Sequence, residues 1–207
     1  MSLTVLSYNI RQWTRDTNPS KPTYWRKRAK EIRALIQRED PDIILLQEAT
    51  WPMVGLCIPD GYMRATGFSI SHHIYCRKEY KVISHEWHMR WCRALIDTGK
   101  EQVNAFSIHT HWDEKIYVKT CCEVTSALRF EGVQNIAGGD WNNEPTDRMK
   151  NLIQPMTLTT TNADTFMNWE SGKFAELDYF ACFPKGGSAT TYGKMEYSDH
   201  NPVMLTT

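Results

Sequence analysis

The sequence predicts an α/β fold, and three observations predict it. Residues 43–46, Ile-Ile-Leu-Leu, make an apolar run of the kind that is buried on both faces of a sheet. Between that run and an apolar stretch at the N-terminus lies a helical pattern over residues 24–39. Strand, helix and strand in that order read as a crossover returning to one sheet. Further on, strand patterns follow closely over residues 68–108, with no room for helices between them, so antiparallel hairpins are expected there.

The composition is that of an ordinary globular chain, with 41% hydrophobic and 23% charged residues. At 207 residues a single domain spanning 1–207 is expected. The formal net charge is zero, which excludes a global basic field, so a nucleic-acid ligand would need a local patch and a metal. The cysteines, at 57, 76, 92, 121, 122 and 182, lack CxxC spacing. They read as reduced thiols of an intracellular protein, cytoplasmic or nuclear. No apolar run approaches the ~20 residues of a membrane span. A strand begins almost at once and leaves no room for a signal peptide. A monomer without membrane association is expected.

In order, the first strand covers residues 3–8 and ends in Asn9-Ile10-Arg11. Residues 12–23, with Pro19 and Pro22, read as a rim loop. The helix at 24–39 carries Trp25, Ala29, Ile32, Leu35 and Ile36 at helical spacing, and Pro41 follows it. The buried strand then ends in Gln47-Glu48. Residues 50–68 read as a loop, with Pro52, Gly55, Pro59, Gly61 and Gly67. Strands are expected at 68–76, 80–87, 91–96 and 103–108, a second helix at 117–130, and strands at 133–137, 177–182 and 203–205.

Polar groups recur where these strands end. Asn9 and Glu48 follow the first two, His109 and His111 follow residues 103–108, Asp140 and Asn142 follow 133–137, and Asp199-His200 precede the last. Loops at a sheet rim hold catalytic groups in place while solvent reaches them. Three carboxylates with Asn and His, and no paired Cys, suit Mg²⁺ or Mn²⁺ rather than structural zinc. Each residue alone has a plain structural explanation. Glu48 would serve as a rim ion-pair partner, Asn9 as a turn residue, Gly138-Gly139-Asp140 as a tight turn, and Ser198-Asp199 as a helix cap, although Pro202 and Val203 argue against a helix there. On a continuous strand His109 and His111 would point to one face.

Taken in order, the motifs are specific. Leu6-Ser7-Tyr8-Asn9, Pro41 through Glu48, Ile108-His109-Thr110-His111-Trp112-Asp113, Gly139-Asp140-Trp141-Asn142-Asn143-Glu144-Pro145, Leu177-Asp178-Tyr179-Phe180 and Ser198-Asp199-His200-Asn201-Pro202-Val203 together resemble the endonuclease/exonuclease/phosphatase family. That resemblance implies a DNase I-like four-layer α/β sandwich of two packed mixed sheets flanked by helices. It implies a Mg²⁺- or Mn²⁺-dependent phosphoric-ester hydrolase. Glu48 would be the principal metal ligand, with Asn9 and Asp199 nearby. Asp140 and Asn142 would orient the attacking water and the phosphate oxygens. His200 would meet the scissile phosphate, and Asp178 would set its tautomer. The family pattern favours His111 as the second imidazole, whereas a deadenylase-like pattern promotes His109. Arg11, Trp112, Trp141 and Asn143 would contact substrate.

A nuclease acting on DNA or RNA is the first expectation. Its local support is Arg26, Lys27, Arg28, Lys30 and Arg33 on the helix, with Arg90 and Arg93, and Trp87, Trp91, Trp112 and Trp141 as stacking platforms. A phosphatase or phosphodiesterase on a small phosphorylated or lipid-headgroup substrate is the alternative. A binding module without catalysis would show eroded metal or His positions, and none is eroded. Arg11 and a fourth-strand His stand where the abasic-site repair branch tends to have an acid and a Tyr. Glu176 stands where many relatives have Arg.

Overall fold

The computed structural model describes residues 2–12, 14, 16–21, 23–67, 71–168, 171–192 and 198–207. Strand β1 (Thr4–Asn9) and strand β2 (Ile43–Gln47) pair in parallel, joined by helix α1 (Trp25–Glu39). The second sheet repeats this arrangement. There β7 (Gln102–His109) and β8 (Val133–Asp140) pair in parallel, joined by α3 (Glu114–Ser126). Each unit therefore ends both strands at one rim. One rim carries Asn9 and Gln47-Glu48, the other His109 paired in register with Asp140. Ligands of such units gather outside the carboxyl ends of the parallel strands.

The remaining strands extend both units antiparallel. Strands β3 (Tyr62–Arg64), β4 (His73–Arg77), β13 (Ser188–Thr191) and β14 (Val203–Thr206) complete one six-stranded sheet, in the order β13-β14-β1-β2-β4-β3. Strands β5 (Lys81–Trp87), β6 (Trp91–Asp97), β9 (Thr157–Thr159) and β12 (Asp178–Phe183) complete the other, in the order β5-β6-β7-β8-β12-β9. A small hairpin, β10 (Phe166–Met167) with β11 (Phe174–Ala175), stands apart.

The apolar run of β2 divides between two layers, which is why it is nearly continuous. Ile43 and Leu45 join Val5, Ile74, Ile96, Ala105 and Phe180 between the sheets. Ile44 and Leu46 join Leu6, Ile32, Leu35 and Ile36 under α1 and α2 (Met53–Cys57). On the far side, Phe106, Ile108 and Ala137 pack with Tyr117 and Cys121 of α3 and Met149 of α4 (Asp147–Leu152). Helix, sheet, sheet and helix thus form four layers, as the family resemblance implies. At the seam, buried Gln47 donates to Ser107 Oγ (3.0 Å), and Ser107 donates to the Leu46 carbonyl (3.0 Å). These bonds tie the sheets together directly beneath the rim.

Several expectations need correction. The loop at 50–68 contains α2 and β3, and the strand placed at 68–76 is described only as β4, residues 68–70 lying outside the described residues. Helix α3 starts three residues before its expected position and ends at Ser126. Asp113 caps it, accepting from the Lys115 and Ile116 amides at 3.0 and 3.1 Å. Gly138 and Gly139 are not a turn but the end of β8. A Cβ on Gly139 would sit 2.0 Å from the Ile108 carbonyl oxygen, so only glycine lets these strands approach. Ser198 caps no helix; its hydroxyl donates to the Asn9 carbonyl at 2.8 Å. Glu176 gathers the Thr161 and Asn162 amides and the Thr161 hydroxyl, at 2.7 to 3.1 Å, and so fastens that loop. All six cysteines are free. No described helix is long and apolar enough to cross a membrane.

Candidate active site

The strand ends converge on one carboxylate oxygen. Asp140 Oδ2 accepts from Asn9 Nδ2 at 3.0 Å and lies 3.5 Å from His109 Nε2 and 3.6 Å from His200 Nε2. The other oxygen, Oδ1, accepts the Asn142 amide at 2.9 Å. Behind His200, Asp178 Oδ2 lies 2.8 Å from Nδ1. An acid–imidazole–acid chain therefore runs from β12 through His200 to β8 and continues through Asn9 to Glu48 Oε1 at 3.4 Å. Phe166 packs against the His200 ring at 4.8 Å between centroids. Arg11, Gln12, Glu48, Arg90, His109, Thr110, His111, Trp112, Asp140, Asn142, Phe166, Asn168, Asp199 and His200 line a cleft of about 640 Å³ around these groups.

The backbone is strained here. Arg11, Glu48 and Asn142 hold φ of 52°, 50° and 50°, a left-handed conformation that costs a non-glycine residue on the order of 1 kcal/mol or more. The strain turns Glu48 back toward Asn9 instead of letting the chain continue as strand. At Asn142 it brings the amide onto Asp140 while its Nδ2 donates to the Thr110 carbonyl at 3.2 Å.

The two imidazoles beside Asp140 are driven apart in protonation. Burial alone pulls the His200 ring down, but the Asp178 and Asp140 carboxylates outweigh it and hold the ring as an imidazolium. Burial likewise pushes the Asp178 carboxyl up, against the pull of the His200 imidazolium. Burial lowers His109, and Asp140 and Glu48 only partly offset it, which favours the neutral ring.

Three expected roles change with this geometry. First, His109, not His111, meets Asp140. Strand β7 ends at His109, the Thr110 hydroxyl turns to the Trp141 carbonyl, and His111 faces the Asp113 amide at 2.9 Å from the cleft wall. Second, Asn9 Oδ1 accepts from the Arg11 amide at 3.1 Å. That amide can only donate, which fixes this oxygen as the Asn9 acceptor and leaves its NH₂ to face Glu48 and Asp140. Asn9 thereby positions the two acids. Third, Trp141 is fully buried, stacked on Tyr179 with Nε1 donating to the Tyr179 carbonyl at 3.0 Å, and reaches no substrate. Asn143 donates to the Trp141 carbonyl at 3.3 Å and is outside the cleft lining. Trp112 is 76% exposed at the mouth. Phe166 and Asn168 had no signal in the sequence, since nothing marks a two-residue strand.

The donor chemistry fits a divalent cation at Glu48. Among the described residues its oxygens meet only the Asn9 amide at 3.4 Å and the Gln12 amide at 3.3 Å, and no cationic side chain pairs with it. Asp199 lies on the same cleft, its Oδ2 3.4 Å from Arg11 Nη1. One or two carboxylates with room for water suit Mg²⁺ or Mn²⁺. Ligand atoms of Asp140, Asp178 and His200 also lie within 4.8 Å of one another, but the 2.8 Å bond between Asp178 and His200 already uses them on each other.

The sequence profile of the endonuclease/exonuclease/phosphatase family matches residues 6–200, an interval that takes in every group of the cleft. The chain belongs to the endonuclease/exonuclease/phosphatase family. It is accordingly a phosphoric-ester hydrolase with the DNase I-like fold, in a family that typically depends on divalent metals. Solved structures agree over the full length. An endonuclease/exonuclease/phosphatase protein of Bacteroides vulgatus superposes with a TM-score of 0.84 at 16% identity, covering 100% of this chain and 98% of that one. A mannosyl-6-phosphatase of Bacteroides thetaiotaomicron gives 0.77 at 19%, with both chains covered completely. A truncated TDP2 of Caenorhabditis elegans gives 0.75 at 16%, covering 100% and 97%. No curated protein matches the sequence significantly.

Proposed function

We propose that this family member hydrolyses phosphate esters of compact substrates in the Asp140–His200 cleft, with Mg²⁺ or Mn²⁺ held at Glu48 and Asp199. The observation that carries this is the chain Asp178–His200–Asp140–Asn9–Glu48 opening into that cleft. His200 presents a protonated Nε2 to the phosphate and the leaving oxygen, where a charged donor stabilises developing negative charge. Asp140, fixed by Asn9 and by the Asn142 amide, aligns the attacking water and receives its proton. Asn142 and the neutral His109 flank that water. The bound cation would neutralise non-bridging oxygens of the phosphate.

The location of the basic side chains favours a compact substrate over a long nucleic acid. Arg28 is buried, donating to the Ile10 and Thr23 carbonyls at 2.7 and 2.9 Å. Arg33 is taken by the Ile58 carbonyl and Asp60, Arg26 lies over Trp25, and Arg93 is clamped by Glu86. None of these lines the cleft, and Lys27 and Lys30 of α1 do not line it either. The exposed Trp112 ring favours a second reading, cleavage near a nucleic-acid end with a base stacked on that ring.

Hydrolysis of p-nitrophenyl phosphate and sugar phosphates, read as released phosphate, and of single-stranded DNA and RNA, read as shortened strands, each with Mg²⁺ or EDTA, tests both readings. Turnover of small esters that stops with EDTA and in Asp140→Ala is expected. Turnover that survives either treatment would overturn the mechanism, and cleavage confined to polynucleotides would select the second reading.

A further inference from the structure

Among the described residues Arg11 and Arg90 line the cleft, and they differ in how they are held. Arg11 is engaged by Asp16 and Asp199, both at 3.4 Å. Arg90 forms no ion pair among the described residues, and its Nε is buried without a hydrogen-bond partner. It stands in the wall that also carries Glu48, His109 and Asp140. Its backbone, by contrast, is pinned. The Arg90 carbonyl accepts the His109 amide at 2.9 Å, the Met89 carbonyl meets His72 Nε2 at 3.0 Å, and the His88 amide donates to the Trp91 carbonyl at 2.8 Å. His72 itself sits edge-on to the His109 ring, 5.7 Å between centroids. A rigid turn thus presents a guanidinium to the cleft with a buried donor left to satisfy, and such donors are costly to leave unmade.

We propose that Arg90 is an anion-binding residue that makes this cleft select phosphate monoesters over diesters. The inference rests on the phosphoester-hydrolase reading above. A diester carries two non-bridging oxygens and a monoester three. His200 and the cation at Glu48 each engage one. Only a monoester keeps a further oxygen, and a second negative charge, for Arg90, whose planar fork is shaped for such oxygens. A diester turns its second substituent toward the guanidinium and leaves Nε as unsatisfied as before.

The test compares p-nitrophenyl phosphate with bis(p-nitrophenyl) phosphate under saturating Mg²⁺, in the wild type, Arg90→Gln and Arg90→Lys. Arg90→Gln is expected to raise KM for the monoester by about tenfold or more, the loss of a charged hydrogen bond, and to change the diester less than about twofold. Arg90→Lys should recover part of that loss, since it restores charge but not the fork. Equal losses on both esters, or no loss on either, would overturn the assignment while leaving the hydrolase reading intact. If the wild type turns over neither ester, the compact-substrate reading fails. Calorimetric titration with inorganic phosphate then decides Arg90 alone, since unchanged affinity in Arg90→Gln and Arg90→Lys refutes it and about a tenfold loss in Arg90→Gln supports it. Should Arg90→Gln not fold, as read by thermal melting, Arg90→Lys and the wild-type preference for inorganic phosphate over dimethyl phosphate carry the same decision.

Discussion

Replacing Asp178 with Asn removes one charge and almost no volume from the most buried part of the site. Asp178 Oδ2 stands 2.8 Å from His200 Nδ1, which places the two charge centres about 4 Å apart. At an effective dielectric near 20, unit charges at that separation attract by about 4 kcal/mol. Relaxation reduces this, so the His200 titration should move to lower pH by about 2–3 pH units. The His200 value is raised in the folded protein. The stability it contributes is therefore fully present below the unperturbed imidazole value and is lost as pH rises through the folded value. The variant should lose that alkaline dependence. It should also show the alkaline limb of kcat/KM displaced toward neutral pH, with kcat reduced as the donor becomes uncharged. Proton NMR titration of the His200 ring, alongside the kinetic profile, measures both. An unmoved limb, or a larger displacement in Asp140→Asn than in Asp178→Asn, would refute the claim that Asp178 sets the state of His200.

Other perturbations follow from the same geometry. Glu48→Gln should weaken Mg²⁺ binding by calorimetry while leaving the melting temperature in metal-free buffer within a few degrees; a collapse in stability there would make Glu48 structural. Burial lowers His72 and His73 to about 4 each. Their neutral forms support the fold above the unperturbed imidazole value, and that support is lost as pH falls toward 4, by roughly 2–3 kcal/mol for each ring. Urea unfolding at pH 7 and 4.5 checks this, and His73→Asn should flatten the difference. Gly139→Ala should destabilise by roughly 2 kcal/mol or more, because its methyl would meet the Ile108 carbonyl oxygen. Trp141→Ala should cost about 3–5 kcal/mol as a core truncation, whereas Trp112→Ala should alter KM and leave stability nearly unchanged.

The parts of the fold legible in the sequence were those with long apolar patterns. Residues 43–46 are buried on both sides and announce β2 by composition alone, and α1 shows its stripe over four turns. Short elements had too little periodicity. Helices α2 and α4 have five and six residues, and β3, β9, β10 and β11 two or three, so any pattern in them is indistinguishable from loop. Helix α3 began early because Asp113, read as part of a motif, caps it.

At the site, apolar patterning marks which residues stand at strand ends. Asn9, Glu48, His109 and Asp140 after apolar strands, and His200 before the last one, stand out in that pattern, whereas Asp178 is marked only by the family resemblance. How they face follows from the packing of the two sheets. A strand that stops at His109 puts that ring, not His111, on Asp140. The Arg11 amide engages the Asn9 oxygen, and Arg28 and Arg33 of α1 are held by carbonyls and Asp60 rather than turned to a ligand. Side-chain orientation depends on hydrogen bonds between residues far apart in the chain, such as Asn9 to Asp140 and Asp178 to His200. Such bonds leave no periodic trace, and they exist only once the two sheets have packed.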